Sequence, residues 1–265
     1  MQVHILSDNK VVENRPQNLL GEWGFSALVE LDSEIILFDT GKKVVNHNAQ
    51  QMGAPLGKVE KIVLSHGHYD HTTGLLDVLR MLDAEIYLHP HAWLPRYLKE
   101  EYIGMPYRKE EIESLAGVVE HKGPVEVGKN VWALGEIPRK HKGGRLDSHI
   151  IKDGEKVKDD ILDDQALAIK TGDGVVLLLG CCHAGLQNTI EYAEEITRNE
   201  VKHIVGGTHL ISLKDEEIGE LSKWLDGKLE YIAPCHCTGS KAEAILSSIM
   251  GEKFESIGVG SVLSF

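Results

Sequence analysis

Between the apolar run Lys61-Ile62-Val63-Leu64 and the helix-like segment Leu75-Leu76-Asp77-Val78-Leu79, the chain places His66, His68, Asp70 and His71. With these flanks, the four candidate metal ligands read as a tight loop between a strand and a helix. If the backbone is still extended from Val63 to His68, His66 and His68 point to the same face, while Asp70 and His71 turn away at the helix mouth. Two adjacent metal sites then share one strand end. Imidazole and carboxylate together suit zinc, iron or manganese better than calcium or magnesium, which prefer shells of oxygen alone.

The 265 residues are enough for a substantial core without staples, and 42% apolar with 26% charged residues is the balance of a globular chain. No run of apolar residues is long enough to span a bilayer, and no cleavable leader is evident, so the expectation is a cytoplasmic protein without a membrane partner. The four cysteines fall in two tight pairs, Cys181-Cys182 and Cys235-x-Cys237, each beside a histidine. Neighbouring cysteines rarely satisfy disulfide geometry, so they read as reduced thiols near a site. A net charge of −13 repels phosphate backbones and counts against a nucleic-acid partner. One segment, Arg139-Lys140-His141-Lys142-Gly143-Gly144-Arg145, runs the other way. It makes Arg139, Lys140 and Arg145 candidates for binding a small anionic substrate.

In chain order, a short strand at Val3 to Leu6 is followed by a hairpin of Phe25 to Leu31 and Glu34 to Phe38 around Asp32-Ser33. Asp39 stands at the end of its second strand, where it can accept the outer N–H of a metal-bound imidazole. A helix at 44–52 precedes the ligand loop. A helix then runs to about Leu82, with a strand at Glu85 to Leu88 and a further helix at Lys109 to Leu115. His89 and His91, separated by Pro90, read as a loop outside the site. After strands within Val125 to Leu134, the polar segment of about 139–164 is a natural substrate-covering lid on a single domain spanning 1–265.

The last third repeats one pattern. Val175 to Leu179 is apolar on both faces, hence a buried central strand, and leads to Gly180-Cys181-Cys182-His183. A helix near Gln187 to Arg198 leads to the strand before His209, a helix near Lys214 to Leu225 to the strand before His236, and a helix at Lys241 to Met250 to a last strand at Ile257 to Leu263. Polar residues at strand C-terminal ends gather on one edge of α/β sheets, where sites form.

The residues His66, His68, Asp70 and His71 match the H-x-H-x-D-H signature, and with Asp39, His183 and His236 the chain resembles the metallo-β-lactamase superfamily over nearly its whole length. More narrowly, Gly135 to Arg139, Asp163 to Leu167, Gly180 to Gly185, Gly206 to Leu210 and His236 to Gly239 resemble the branch that includes the archaeal dihydropterin ribofuranosyl-aminobenzene phosphate synthase. The resemblance implies an α/β fold, a four-layer αββα sandwich. It also implies two divalent metal ions, zinc first and manganese or iron as alternatives, one held by His66, His68 and His183 and the other by Asp70, His71 and His236. Where many members carry a bridging aspartate this chain has Gly180-Cys181, so Cys181 becomes a possible ligand. His209 is a candidate for substrate contact or proton transfer.

Two metals sharing a water lower its pKa towards neutrality and clamp the oxygens of an ester, lactone, amide or phosphate. The leading expectation is therefore a metal-dependent hydrolase whose nucleophile is hydroxide, with Asp70 both ligand and orienting group, acting on a small anionic molecule. The branch resemblance offers a second: a transferase joining a dihydropterin methyl carbon to an aminobenzene ribofuranosyl phosphate. A diiron redox or oxygen-sensing module is a third, though flavin-linked relatives tend to place Glu where this chain has His68. A metal-free binding protein is a fourth. Neither G-x-S-x-G nor a phosphate loop is present, so serine hydrolysis and nucleotide binding have no anchor.

Overall fold

The runs Ser26–Glu30 and Ile35–Phe38 pair antiparallel, and Leu31 donates its N–H to the Glu34 carbonyl to close the turn between them. In this computed structural model, which describes residues 1–12, 18–144 and 146–265, the hairpin belongs to the first of two compact units. Unit 1 comprises Met1–Gly123, Asp147–Asp163 and Gly258–Phe265; unit 2 comprises Pro124–Leu146 and Asp164–Ile257. The polar segment 139–164 is thus divided between them at Leu146/Asp147 and Asp163/Asp164.

Unit 1 holds a seven-stranded sheet in the order Val262–Ser264, Gln2–Ser7, Ser26–Glu30, Ile35–Phe38, Lys61–Val63, Glu85–Leu88, Val118–Glu120. Pairing is antiparallel from the first strand to the fourth and parallel from there on. The helices Val45–Met52 and Leu75–Leu79 bury Val45, Ala49, Leu75, Val78 and Leu79 against Leu28, Leu37, Ile62 and Ile86 of this sheet. Each such aliphatic side chain removed from water contributes about 1.5–3 kcal/mol before entropy is counted. A second, four-stranded antiparallel sheet runs Glu155–Lys158, Ser148–Lys152, Arg96–Leu98, Glu101–Tyr102.

That second sheet departs from the sequence reading, which placed the helix now seen at Lys109–Glu113 but assigned no strand to 96–102 or to the polar segment 139–164. Its strands carry little apolar alternation, and its edge strand Glu155–Lys158 has two lysines, as edges that must resist further pairing commonly do. The last strand is also shorter than expected, Val262–Ser264, because Gly260 takes φ 100° and turns the chain after the buried Ile257 and Val259.

Unit 2 holds a six-stranded sheet in the order Tyr231–Cys235, Val201–Gly207, Val175–Leu179, Ala166–Lys170, Val131–Ala133, Val125–Gly128. The first three are parallel, and every side chain of Val175–Leu179 is buried, as its uniformly apolar sequence requires. Three helices, Leu186–Thr197, Asp215–Asp226 and Ser240–Met250, cover the sheet with Leu186, Ile190, Ala193, Ile218, Leu225, Ala242 and Leu246. In the first of them the buried positions recur at helical spacing. The fold is mixed α/β, with helices laid on the main sheet of each unit, the class expected. Among the described residues no helix is long and apolar enough to cross a membrane.

Candidate metal centre

In unit 1 the parallel register pairs Phe38 with Val63, so Asp39 and the Leu64-Ser65-His66 segment leave the sheet side by side. Asp39 adopts φ 58°, an unusual left-handed conformation for a residue other than glycine, and its side chain is fully buried. Its Oδ1 accepts the Ser65 N–H at 2.7 Å; its Oδ2 accepts the Ser65 hydroxyl at 2.6 Å and lies 2.6 Å from His71 Nδ1. Ser65 Oγ is also 2.8 Å from His66 Nδ1. The chain is still extended at His68, then forms the short helix Tyr69–Thr72, which carries Asp70 and His71.

These residues come together. The His66 and His68 ring centroids are 4.5 Å apart and those of His66 and His71 are 4.3 Å apart. Asp70 Oδ2 lies 3.9 Å from His71 Nε2. His66 Nε2 and His68 Nδ1 are separated by only 2.7 Å. Two zinc-bound nitrogens at a tetrahedral angle stand about 3.4 Å apart, so an ion would need this pair to open by roughly 0.7 Å. Buried imidazoles converging at such spacing, one of them backed by a carboxylate, are a donor set that fits a divalent transition ion.

The loop is fixed from behind. A Cβ on Gly67 would lie 2.2 Å from the Ala92 carbonyl oxygen, so only glycine lets the backbones meet. Ala92 belongs to the short turn Pro90–Trp93, which His89 caps by accepting the His91 N–H at 3.1 Å. The Gly67 N–H donates to Asp163 Oδ2 at 2.8 Å. Asp163 in turn receives both terminal nitrogens of Arg96, at 3.0 and 2.7 Å, and the Nε of Arg96 lies 2.7 Å from Asp159. Arg96 is 1% exposed, so this is a buried ion cluster. Burial alone would raise the Asp163 pKa, yet the Arg96 guanidinium holds it below the usual carboxylate value. For Asp159 burial outweighs the arginine, and its pKa is raised.

In unit 2 the parallel register aligns Leu179 with Gly206 and Gly207 with Cys235, bringing the three strand ends to one edge. From that edge Cys181, His209 and Cys237 offer ligand atoms that all lie within 4.8 Å of one another. The His183 and His209 ring centroids are 4.2 Å apart. A Cβ on Gly207 would sit 2.8 Å from Cys237 Sγ, so the missing side chain makes room for the sulfur. The backbone N–H of His209 donates to that sulfur at 3.3 Å. Burial opposes ionisation of Cys237, but hydrogen bonding with Cys181 and His209 and the nearby His236 hold its thiol well below the ordinary value. Burial pushes the Cys182 thiol up instead. Cys182, His209 and His236 have φ values of 60°, 49° and 52°, a concentration of unfavourable backbone that commonly accompanies functional sites.

The basic loop lies in the same unit. The buried Asn188 accepts the N–H groups of Lys140 and His141, both at 2.8 Å, and donates to the His141 and Ala184 carbonyls at 2.9 and 2.7 Å. Gly144 N–H donates to the His183 carbonyl at 3.0 Å. The Arg139 and Lys140 side chains are exposed, and Arg145 lies outside the described residues. It is Lys142 that lines a cavity of about 270 Å³, together with Leu213, Leu221 and Trp224. A smaller cavity of about 40 Å³ shares Lys142, Leu213 and Leu221 with it and reaches His209.

A model of the β-lactamase superfamily domain matches residues 34–157, the segment that contains the ligand loop. The chain is 31% identical to the uncharacterized protein MJ0448 of Methanocaldococcus jannaschii, the match covering 97% of this chain and 98% of the relative. Its structure superposes with a TM-score of 0.89, at 32% identity over 100% of this chain and 99% of the other, on the crystal structure of Tm1679, a metal-dependent hydrolase of the β-lactamase superfamily. The chain belongs to the metallo-β-lactamase superfamily. A further relative in M. jannaschii is 7,8-dihydropterin-6-methyl-4-(β-D-ribofuranosyl)-aminobenzene-5'-phosphate synthase, 28% identical over 100% of this chain and 97% of that one.

Within this metallo-β-lactamase member the ligand-type histidines were visible in sequence, but Ser65, Arg96, Asp159 and Asn188 were not. Asp163 and Asp164 had one signal, their place in a segment resembling one branch of the superfamily. Arg96 had none, since a lone arginine in charged chain looks solvated.

Proposed function

We propose that this superfamily member is a metal-dependent hydrolase acting on a small anionic molecule, with His66, His68 and His183 holding one divalent ion and Asp70, His71 and His236 a second. The observation that carries the reading is the buried Asp39 carboxylate on His71 Nδ1, an arrangement that puts the ring proton on Nδ1 and makes Nε2 the lone-pair donor towards an ion. Zinc suits this set best, with manganese or iron as alternatives. When bound, such ions activate water and polarise a carbonyl or phosphoryl oxygen. The protein's part is to aim the imidazoles. Asp70 both ligates and orients the nucleophile, Cys181 adds a thiol at the position of the usual bridging carboxylate, and His209, at the end of the small cavity, meets the substrate or moves its proton. Arg139, Lys140 and Arg145 supply positive charge for the anionic group.

Elemental analysis of protein purified without added metal, with His66→Ala and His236→Ala alongside, tests the reading. About two ions per chain, reduced in each variant, support it; predominantly iron with a redox-active spectrum would favour oxygen chemistry; no metal, and none on reconstitution, overturns it.

A second reading has an observation of its own. Full-length similarity to the dihydropterin synthase, at 28% identity, favours transfer of a pterin methyl carbon to an arylamine, in which bound ions would stabilise the departing diphosphate. Incubation with a dihydropterin methyl diphosphate and an aminobenzene ribofuranosyl phosphate, followed by mass spectrometry, separates the two, because only the transferase forms a new C–N bond.

A further inference from the structure

Asp163 and Asp164 are consecutive, and each carboxylate accepts a backbone N–H beside a ligand-type histidine. Asp163 Oδ2 receives Gly67 N–H at 2.8 Å, between His66 and His68. Asp164 Oδ2 receives Ala184 N–H at 2.9 Å, directly after His183. The two residues are 0% and 1% exposed. A buried carboxylate costs several kcal/mol of desolvation, whereas a neutral carbonyl or hydroxyl would satisfy a backbone N–H at far lower cost. At Asp163 the charge therefore needs an explanation beyond hydrogen-bond accounting.

For Asp163 the surroundings supply one. Arg96 grips both carboxylate oxygens and fixes the rotamer, so the oxygen presented to Gly67 cannot swing away. Gly67 is pressed against the Ala92 carbonyl on its other side, which leaves the loop one position. Around Ala184 the clamp is double: its N–H goes to Asp164 and its carbonyl to the buried Asn188. Gly144 holds the neighbouring His183 carbonyl, closing the loop on a third side.

We propose that Asp163 and Asp164 are paired positioning residues for metal binding, one carboxylate setting the His66–His68 loop and the next setting the His183 loop. Neither touches the metal. The inference rests on the reading of these histidines as ligands.

The test is metal affinity, measured by chelator competition on wild type, Asp163→Asn, Asp164→Asn and Asp159→Asn, with thermal melts of the metal-free proteins beside it. Asp159 shares Arg96 but touches no ligand loop, so Asp159→Asn reports loss of stability alone. The expected result is a loss of affinity of about 10–100-fold in Asp163→Asn and in Asp164→Asn, with none in Asp159→Asn. A changed d–d spectrum in the cobalt forms of the first two would accompany it, which a merely structural role would not produce. If Asp163→Asn fails to fold, Asp164→Asn carries the test. Wild-type affinity and an unaltered cobalt spectrum in the folded variants would overturn the inference while leaving the metal reading intact; a wild type that holds no metal would overturn both.

Discussion

His71 Nδ1 lies 2.6 Å from Asp39 Oδ2, and neither side chain is exposed to solvent. The carboxylate can only accept, so Nδ1 must carry the proton, and Nε2 keeps its lone pair. Asp39→Asn conserves shape but places a donor among the hydroxyl of Ser65 and the ring of His71. An amide N–H directed at Nδ1 would select the opposite tautomer and put a proton where the ion should bind. The expected outcome is a fall in metal affinity of about 10–100-fold with secondary structure retained, checked by titration of metal-free protein and circular dichroism. Unchanged affinity would remove Asp39 from the site.

The Arg96 cluster makes a prediction about folding. Deleting the guanidinium leaves Asp159 and Asp163 buried without their cation, and breaking a buried pair in this way costs about 3–5 kcal/mol. Arg96→Met should therefore lower the melting temperature steeply, and Arg96→Lys should recover only part of the loss because a point charge cannot hold both oxygens of Asp163. Asp163, with its depressed pKa, contributes stability that is present above the ordinary carboxylate pKa of about 3.9 and lost as pH falls through the lower folded value. Asp159 has the opposite sign: its raised pKa gives stability at low pH that is lost as pH rises through the folded value. Asp163→Asn should consequently destabilise more than Asp159→Asn in neutral solution, as urea unfolding would show.

The same residues show where sequence reading stops. His66, His68, Asp70 and His71 lie within six residues, and His183, His209 and His236 each follow an apolar strand, so short-range pattern alone singles them out. Arg96 reaches Asp163 across 67 residues and Asp163 reaches Gly67 across 96, and nothing in local composition links such positions. Charged residues in a polar stretch resemble a solvated surface until the fold buries them. For the same reason the hairpin Ser148–Lys152 and Glu155–Lys158 passed as irregular chain, while Val175–Leu179, apolar at every position, did not. The anionic-site candidates Arg139 and Lys140 were chosen by charge, which cannot distinguish them from Lys142, which lines the cavity alongside Glu217 and Glu220.

Two glycines offer a contrast that separates close packing from helix propensity. Gly67→Ala would drive a Cβ to 2.2 Å from backbone at Ala92, which no side-chain rotation can relieve. A cost of about 1–3 kcal/mol and a loss of bound metal are expected, since the loop must move to make room. Gly219 lies within the helix Asp215–Asp226, and a Cβ there meets nothing within 4 Å. Gly219→Ala should stabilise by about 0.5–1 kcal/mol and leave metal content unchanged. Melting curves with elemental analysis of both variants check the pair.

Distant from the ligand loop in sequence, His121 sets a pH dependence that can be isolated. It is 8% exposed, with Nδ1 2.8 Å from the Gly123 carbonyl, and burial lowers its pKa despite that hydrogen bond. The unfolded chain therefore takes up a proton below about pH 6.5 that the folded protein resists. Stability is fully present above that pH and declines as pH falls from there through the folded pKa, by at most about 1.4 kcal/mol per pH unit for one group. His121→Asn keeps an N–H for Gly123 and does not titrate. The difference in urea midpoint between wild type and variant should be flat above pH 7 and should shift in favour of the variant between about pH 6.5 and 5. His203, whose pKa burial also lowers, titrates in both proteins and cancels in the difference. A difference that stays constant across that range would show that His121 binds its proton equally well in the folded and unfolded chain.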